Sequence, residues 1–146
     1  MGIQGVRVLA IVPARGGSKG VPGKNLKLIG GQTMTARAVK CGLEAGLPVL
    51  ISTDDQRIHD EAVRAGAEGG FLRPDHLATD GAKTLDVLIH GVDLWQERHG
   101  EEVESVMILQ PTSPLRNSED VKRALEAWAD RSPDSQSLAS FASASH

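Results

Sequence analysis

Residues Pro13-Ala-Arg-Gly-Gly-Ser-Lys-Gly-Val-Pro-Gly-Lys-Asn25 concentrate the reactive chemistry of this 146-residue chain. Four glycines in that stretch let backbone N–H groups come close to a ligand, and Arg15, Lys19 and Lys24 supply positive charge. That combination suits an anion with several oxygens, such as a phosphate chain. Nothing nearby neutralises the cations. Between Met1 and Leu43 lie seven basic residues and no Asp or Glu, while the remainder carries nine basic against 19 acidic residues. The overall net charge of −3 therefore hides a cationic N-terminal segment, and such asymmetry points to an anionic ligand held there.

Two familiar phosphate motifs do not fit. A P-loop needs G-x-x-x-x-G-K-[ST]; ahead of Gly23-Lys24 the first position is Ser18, and Asn25 stands where the metal-binding hydroxyl belongs. The dinucleotide fingerprint G-x-G-x-x-G has no match starting at Gly16 or Gly17. Elsewhere, Asp54-Asp55 follows an apolar run and reads either as metal ligands or, preferably, as the cap of the next helix. Asp86 and His90 lie one helical turn apart, which suits hydrogen bonding on a helix surface better than a metal site without further ligands. His59, His76, His99 and His146 show no ligand spacing. Cys41, with no His neighbour to activate it, reads as a small core residue, and Trp95 and Trp128 read as core. Arg116 is suited equally to binding phosphate and to tethering its loop.

The elements that must position these residues alternate strand and helix. Val6–Val12 is a nearly continuous apolar run, as expected of a strand covered on both faces. Thr33–Glu44 reads as a helix closed by Gly46 and Pro48, Val49–Ser52 as a strand, and Asp54–Ala65 as a helix ending at Gly66. Leu85, Leu88, Ile89, Val92 and Trp95 or Gln96 mark the inner face of a further helix that stops at Gly100. Val106–Leu109 reads as another buried strand. Ser118 is then expected to cap a helix with Glu119 and Asp120 in its first turn and Val121, Leu125 and Trp128 on its inner face. Gln136–Ser143 is strand-like. The expected fold is α/β, a three-layer α/β/α arrangement around a mostly parallel sheet, in one domain spanning 1–146. Ligands of such sheets bind beyond the carboxyl ends of the strands, so the loops Pro13–Asn25, Thr53–Asp55 and Gln110–Arg116 are expected to converge.

The run Arg15-Gly-Gly-Ser-Lys-Gly-Val-Pro-Gly-Lys-Asn25 closely resembles the opening motif of the acylneuraminate cytidylyltransferases, the CMP-sialic acid synthetases. The resemblance continues through Ser52-Thr-Asp-Asp55, Phe71-Leu-Arg-Pro74 with Leu77-Ala78, Leu85-Asp-Val87 and Gln110-Pro-Thr-Ser-Pro-Leu-Arg116, in the same order and spacing over nearly the whole chain. It implies a nucleotide-diphospho-sugar transferase type of fold. It also implies transfer of CMP from CTP to the anomeric hydroxyl of a nonulosonic acid such as N-acetylneuraminate, with release of pyrophosphate and with Mg²⁺ as cofactor. By position, Arg15 and Lys24 would be catalytic and contact the triphosphate, with Lys24 near the α-phosphate. Ser18 and Asn25 would help hold phosphate and nucleotide, and Arg73, Thr84 and Gln110 fall where the family contacts nucleotide and sugar. None of these is a metal ligand. The sequence departs from the family pattern at Gly31-Gln-Thr-Met-Thr35 and at Lys83-Thr84, where a pair of serines is common. Family members are homodimers and run on through a dimerisation segment and a portion with metal-binding aspartates. Ser137–His146 falls about where that segment would begin, so a nucleotide-binding half of an enzyme is expected, with a non-catalytic CTP-binding module as the alternative. A relative acting on 3-deoxy-octulosonate is disfavoured, since its opening loop lacks the Gly-Gly-Ser-Lys run.

Composition narrows the rest. One cysteine excludes an internal disulfide and a multi-Cys zinc site. No apolar run approaches the ~20 residues of a membrane helix. The N-terminal run is short and leads into a basic loop, unlike a signal peptide, so the cytoplasm is the expected compartment. With two Phe, two Trp and no Tyr there is too little aromatic surface for stacking nucleic-acid bases.

Overall fold

A computed structural model of the chain describes residues 5–16, 28–29, 32–79, 81–111 and 117–130. Strand β1 (Gly5–Ala14) is followed by the short strands β2 (Leu28–Ile29) and β3 (Gln32–Thr33), which pair antiparallel. Then come α1 (Met34–Glu44), β4 (Val49–Thr53), α2 (Gln56–Ala65), α3 (Thr84–His99), β5 (Glu102–Ile108) and α4 (Ser118–Ala129). The main sheet has the order β4-β1-β5 with both pairings parallel, as the strand–helix alternation predicts. Residues Ala14 and Thr53 pair at one end of it, and the N–H of Leu109 reaches the carbonyl of Ile11 at 2.9 Å.

The period-2 geometry of β1 sorts its side chains between two cores. Ala10, Val12 and Ala14 face a layer formed by Val39 and Cys41 of α1, Ile58 and Ala62 of α2, and Val121 and Ala124 of α4. Leu9 and Ile11 face the other way, with Leu50, against Trp95 of α3 and the partly buried Leu88 and Val92. Helices thus cover both faces, which is why the strand carries no polar alternation. Cys41 is buried, in keeping with its reading as a small core residue.

Several sequence expectations shift. The Asp54–Ala65 helix begins at Gln56, because Asp55 turns its carboxylate onto the N–H groups of Arg57 (2.8 Å) and Ile58 (3.3 Å) as the N-cap. Thr33 likewise caps α1 rather than joining it. The cap of α4 is Asn117 and not Ser118: its side chain accepts from the Asp120 N–H while the Asp120 carboxylate accepts from the Asn117 N–H. The inner face of α3 is not the stripe through Leu85 and Ile89, which are 65% and 48% exposed. Leu88, Val92 and Trp95 of that stripe do pack on the core, joined by the buried Val87 and by Gly91, where a Cβ would already touch Ile11 and Leu50 at 3.1 and 3.2 Å. The strand expected at Val106–Leu109 runs from Glu102 to Ile108, and only Met107 within it is buried, since β5 lies at the sheet edge among the described residues. Trp128 is only part-buried; its Nε1–H donates to Ser105 Oγ at 2.9 Å and ties α4 to β5. Gln136–Ser143 lies outside the described residues.

Beside β4 the chain makes one more parallel contact. Glu68 donates its N–H to Val49 and accepts from Ile51, at 2.8 and 3.0 Å. Side chains from both faces hold this segment. Arg98 and His99 of α3 bind the Glu68 carboxylate, and His59 of α2 accepts the Gly70 N–H at 2.8 Å.

Candidate active site at the carboxyl edge of the sheet

Residues Arg15 and Gly16 continue straight from β1 and meet the loop that leaves β4. The Gly16 N–H donates to Asp54 Oδ1 at 3.0 Å, across 38 residues of sequence. Any side chain at position 16 would collide with Asp55, whose Cβ sits 2.6 Å from the place a Cβ would occupy. Gly16 is therefore a glycine by steric necessity. The Arg15 guanidinium reaches the carbonyl of Ala78 at 3.5 Å, at the outer limit of a hydrogen bond.

Ala78 ends a short 3-10 turn, Asp75–Leu77, which Arg73 fixes from beneath. Arg73 is buried, 7% exposed, and donates through Nε to Ser52 Oγ, through Nη2 to the Ser52 carbonyl and through Nη1 to the Leu77 carbonyl, each at 3.0 Å. Its backbone N–H adds a bond to Thr53 at 2.8 Å. Burial lowers the proton affinity of this guanidinium below its ordinary value; Asp54 counters that loss and Arg15 adds to it. Arg15, Asp54 and Arg73 thus form one electrostatic group. Beside it, His90 of α3 packs against Phe71 with ring centroids 5.6 Å apart. Burial pushes His90 below its ordinary value near 6.5, helped by Arg73 and His76 and opposed by Asp93.

Of the residues singled out in the sequence, Arg15 and Arg73 stand together at this edge, Arg73 with its side chain turned into the fold. Thr84 is exposed as the first residue of α3, which Lys83 precedes without a side-chain cap. Gln110 is part-buried just beyond β5, beside the buried Pro111. Ser18, Lys24, Asn25 and Arg116 lie outside the described residues. Asp55 is a helix cap, as preferred over a metal ligand. Among the described residues no group of three His, Cys, Asp or Glu side chains could hold a metal ion. What the sequence concealed is the pairing of Asp54 with Gly16, because a backbone amide has no residue-type signature.

The sequence profile described as Cytidylyltransferase matches residues 9–145. The chain belongs to the cytidylyltransferase family. Among its relatives, the CMP-N,N'-diacetyllegionaminic acid synthase of Legionella pneumophila is 40% identical over 125 residues, 83% of this chain and 53% of that protein. The N-acylneuraminate cytidylyltransferase of Escherichia coli is 32% identical over 124 residues, 84% of this chain and 28% of that protein. Among solved structures, that of CMP:2-keto-3-deoxy-manno-octonic acid synthetase in complex with CTP superposes with a TM-score of 0.66 at 25% identity, over 85% of this chain and 48% of that one. The expected α/β nucleotidyltransferase fold stands. The chain spans about half or less of the length of these proteins. No helix among the described residues is long and apolar enough to cross a membrane.

Proposed function

We propose that this chain is the nucleotide-binding portion of an enzyme that transfers CMP from CTP to a nonulosonic acid. The observation that carries the reading is the convergence at the carboxyl edge of the sheet. A cationic, glycine-rich loop leaves the central strand there, with its first residues fastened to the loops beside it. The relatives' names supply the ligand class, since they concern CMP derivatives of legionaminic and N-acylneuraminic acids.

In the proposed reaction the anomeric hydroxyl of the sugar acid attacks the α-phosphorus of CTP. The bond from that phosphorus to the bridging oxygen breaks, pyrophosphate leaves with its electron pair, and the hydroxyl proton passes to solvent. Little covalent chemistry falls to the protein in such an in-line displacement; positioning and charge neutralisation lower the barrier. Lys24 neutralises charge at the α-phosphate, Arg15 holds the triphosphate, and Ser18 and Asn25 orient phosphate and nucleotide. Thr84 and Gln110 face nucleotide or sugar, and Arg73 braces the Asp75–Leu77 turn against the end of β4. Mg²⁺ accompanies the triphosphate in this reading; Asp54 and Asp55, beside Gly16, are committed to the Gly16 amide and to the α2 cap. The cytoplasm, where CTP is made, and a homodimeric assembly belong to the same proposal.

The test is CTP binding by calorimetry, together with pyrophosphate release from CTP, Mg²⁺ and N-acetylneuraminate or a related nonulosonic acid. Binding of CTP in preference to ATP is expected, and Lys24→Ala should weaken binding or turnover far more than Lys83→Ala. Equal effects of the two substitutions would remove the assigned roles, and absence of CTP binding would remove the reading itself. CTP binding without pyrophosphate release, with activity restored in a longer chain, would favour a CTP-binding module.

A further inference from the structure

Two adjacent carboxylates at the end of β4 do different work. Asp55 is tied to its own helix, accepting the N–H groups of Arg57 and Ile58. Asp54 points the other way and accepts the Gly16 N–H at 3.0 Å, where the basic loop leaves β1. Gly16 cannot slide away from this contact toward α2, because Asp55 fills the space beside its Cα. The floor beneath is fixed as well, by the three guanidinium bonds of Arg73 to Ser52 and Leu77. We propose that Asp54 is a positioning residue for phosphate binding: its carboxylate clamps the Gly16 amide and so fixes Arg15 and Gly16 at the point where the chain leaves β1.

The chemistry of the clamp has two consequences. A hydrogen bond from a backbone N–H to a carboxylate is charge-assisted and stronger than an amide–carbonyl bond, so one contact can fix the mouth of a glycine-rich loop whose backbone is otherwise permissive. The Gly16 amide is also withdrawn from the ligand, so it adds no backbone contact to phosphate. Asp54 acts through the loop and touches no phosphate itself.

The inference rests on the CTP reading for its ligand, but the clamp has a readout that needs no ligand. In the full chain, hydrogen exchange of the Gly16 amide should accelerate about tenfold or more in Asp54→Ala, since a hydrogen bond to a charged acceptor is lost, while Ile11 and Val12 in β1 stay protected. Affinity for CTP should fall by about the same factor while that for cytidine, which has no phosphates, is retained. Asp54→Asn keeps a neutral Oδ1 acceptor and should recover part of both losses. Unchanged exchange at Gly16 in Asp54→Ala overturns the clamp. So does an equal loss of CTP and cytidine binding, or an Asn variant as impaired as the Ala variant. Failure of the unsubstituted chain to bind CTP would instead count against the cytidylyltransferase reading, with the exchange rates still deciding the clamp.

Discussion

At the scale of single residues, what a side chain does is set by which way it turns. Arg73 carries a positive charge suited to phosphate, yet its three guanidinium nitrogens bind Ser52 and Leu77, so its charge reaches the site as a field and its side chain as a brace. His90 shows the same principle in a titratable group. Phe71 packs on its ring, Arg73 and His76 repel its charged form, and Asp93 offsets them only in part, so the fold favours the neutral imidazole. The unfolded chain then binds the proton more readily than the folded one. The contribution to stability is complete above the ordinary value near 6.5 and disappears as the pH falls through the lower folded value. Thermal denaturation between pH 8 and pH 5 should show this loss in the native sequence and a flatter profile in His90→Gln. Superimposable profiles would show that His90 contributes nothing.

At the scale of elements, glycine decides two helix contacts. Gly42 in α1 lies so close to the sheet that a Cβ there would sit 2.7 Å from Val49 and 2.8 Å from Leu109, both buried. Gly42→Ala should therefore cost about 1–3 kcal/mol through overpacking, although alanine is the better helix former. Denaturant titration decides this, and a neutral or stabilising effect would mean that the layers relax freely. The same close approach at Gly91 explains what could and could not be read from the sequence. The strand–helix order, the parallel sheet and the caps at Gly66 and Gly100 were legible, because apolar runs and left-handed glycines leave a mark in residue type. The inner face of α3 was legible in part: Leu88, Val92 and Trp95 pack inward, but its centre is a glycine that no count of apolar residues registers, and Leu85 and Ile89 are exposed. The β2–β3 hairpin was missed too: two-residue strands are too short to show alternation. Glycine and charge mark the basic segment Pro13–Asn25 in the sequence, whereas the Asp54–Gly16 contact depends on which two strands are neighbours, information that exists only once the chain is folded.

At the scale of the whole molecule, the cationic segment is not one patch. Arg15 is at the carboxyl edge of the sheet, but Lys40 is exposed in the second turn of α1, so the acid-free stretch of sequence is broader than the place it prepares. Attraction for an anion still has a long-range part, because the cations of the first 43 residues have no acid among them. Raising the salt from about 0.01 M to about 0.5 M shortens the screening length severalfold and should weaken CTP binding by about tenfold, leaving cytidine untouched. A salt-independent affinity would place recognition in the base and ribose. The sheet itself is asymmetric in another sense. The outer side of β4 is hemmed by the segment through Glu68, which Arg98, His99 and His59 hold in place. On the other side, β5 has no further strand among the described residues. The sheet therefore has a selvage and a growing edge. A strand added from elsewhere in the polypeptide or from another molecule would lie along β5, and addition there leaves the β1–β4 side, with its clamped loop, undisturbed.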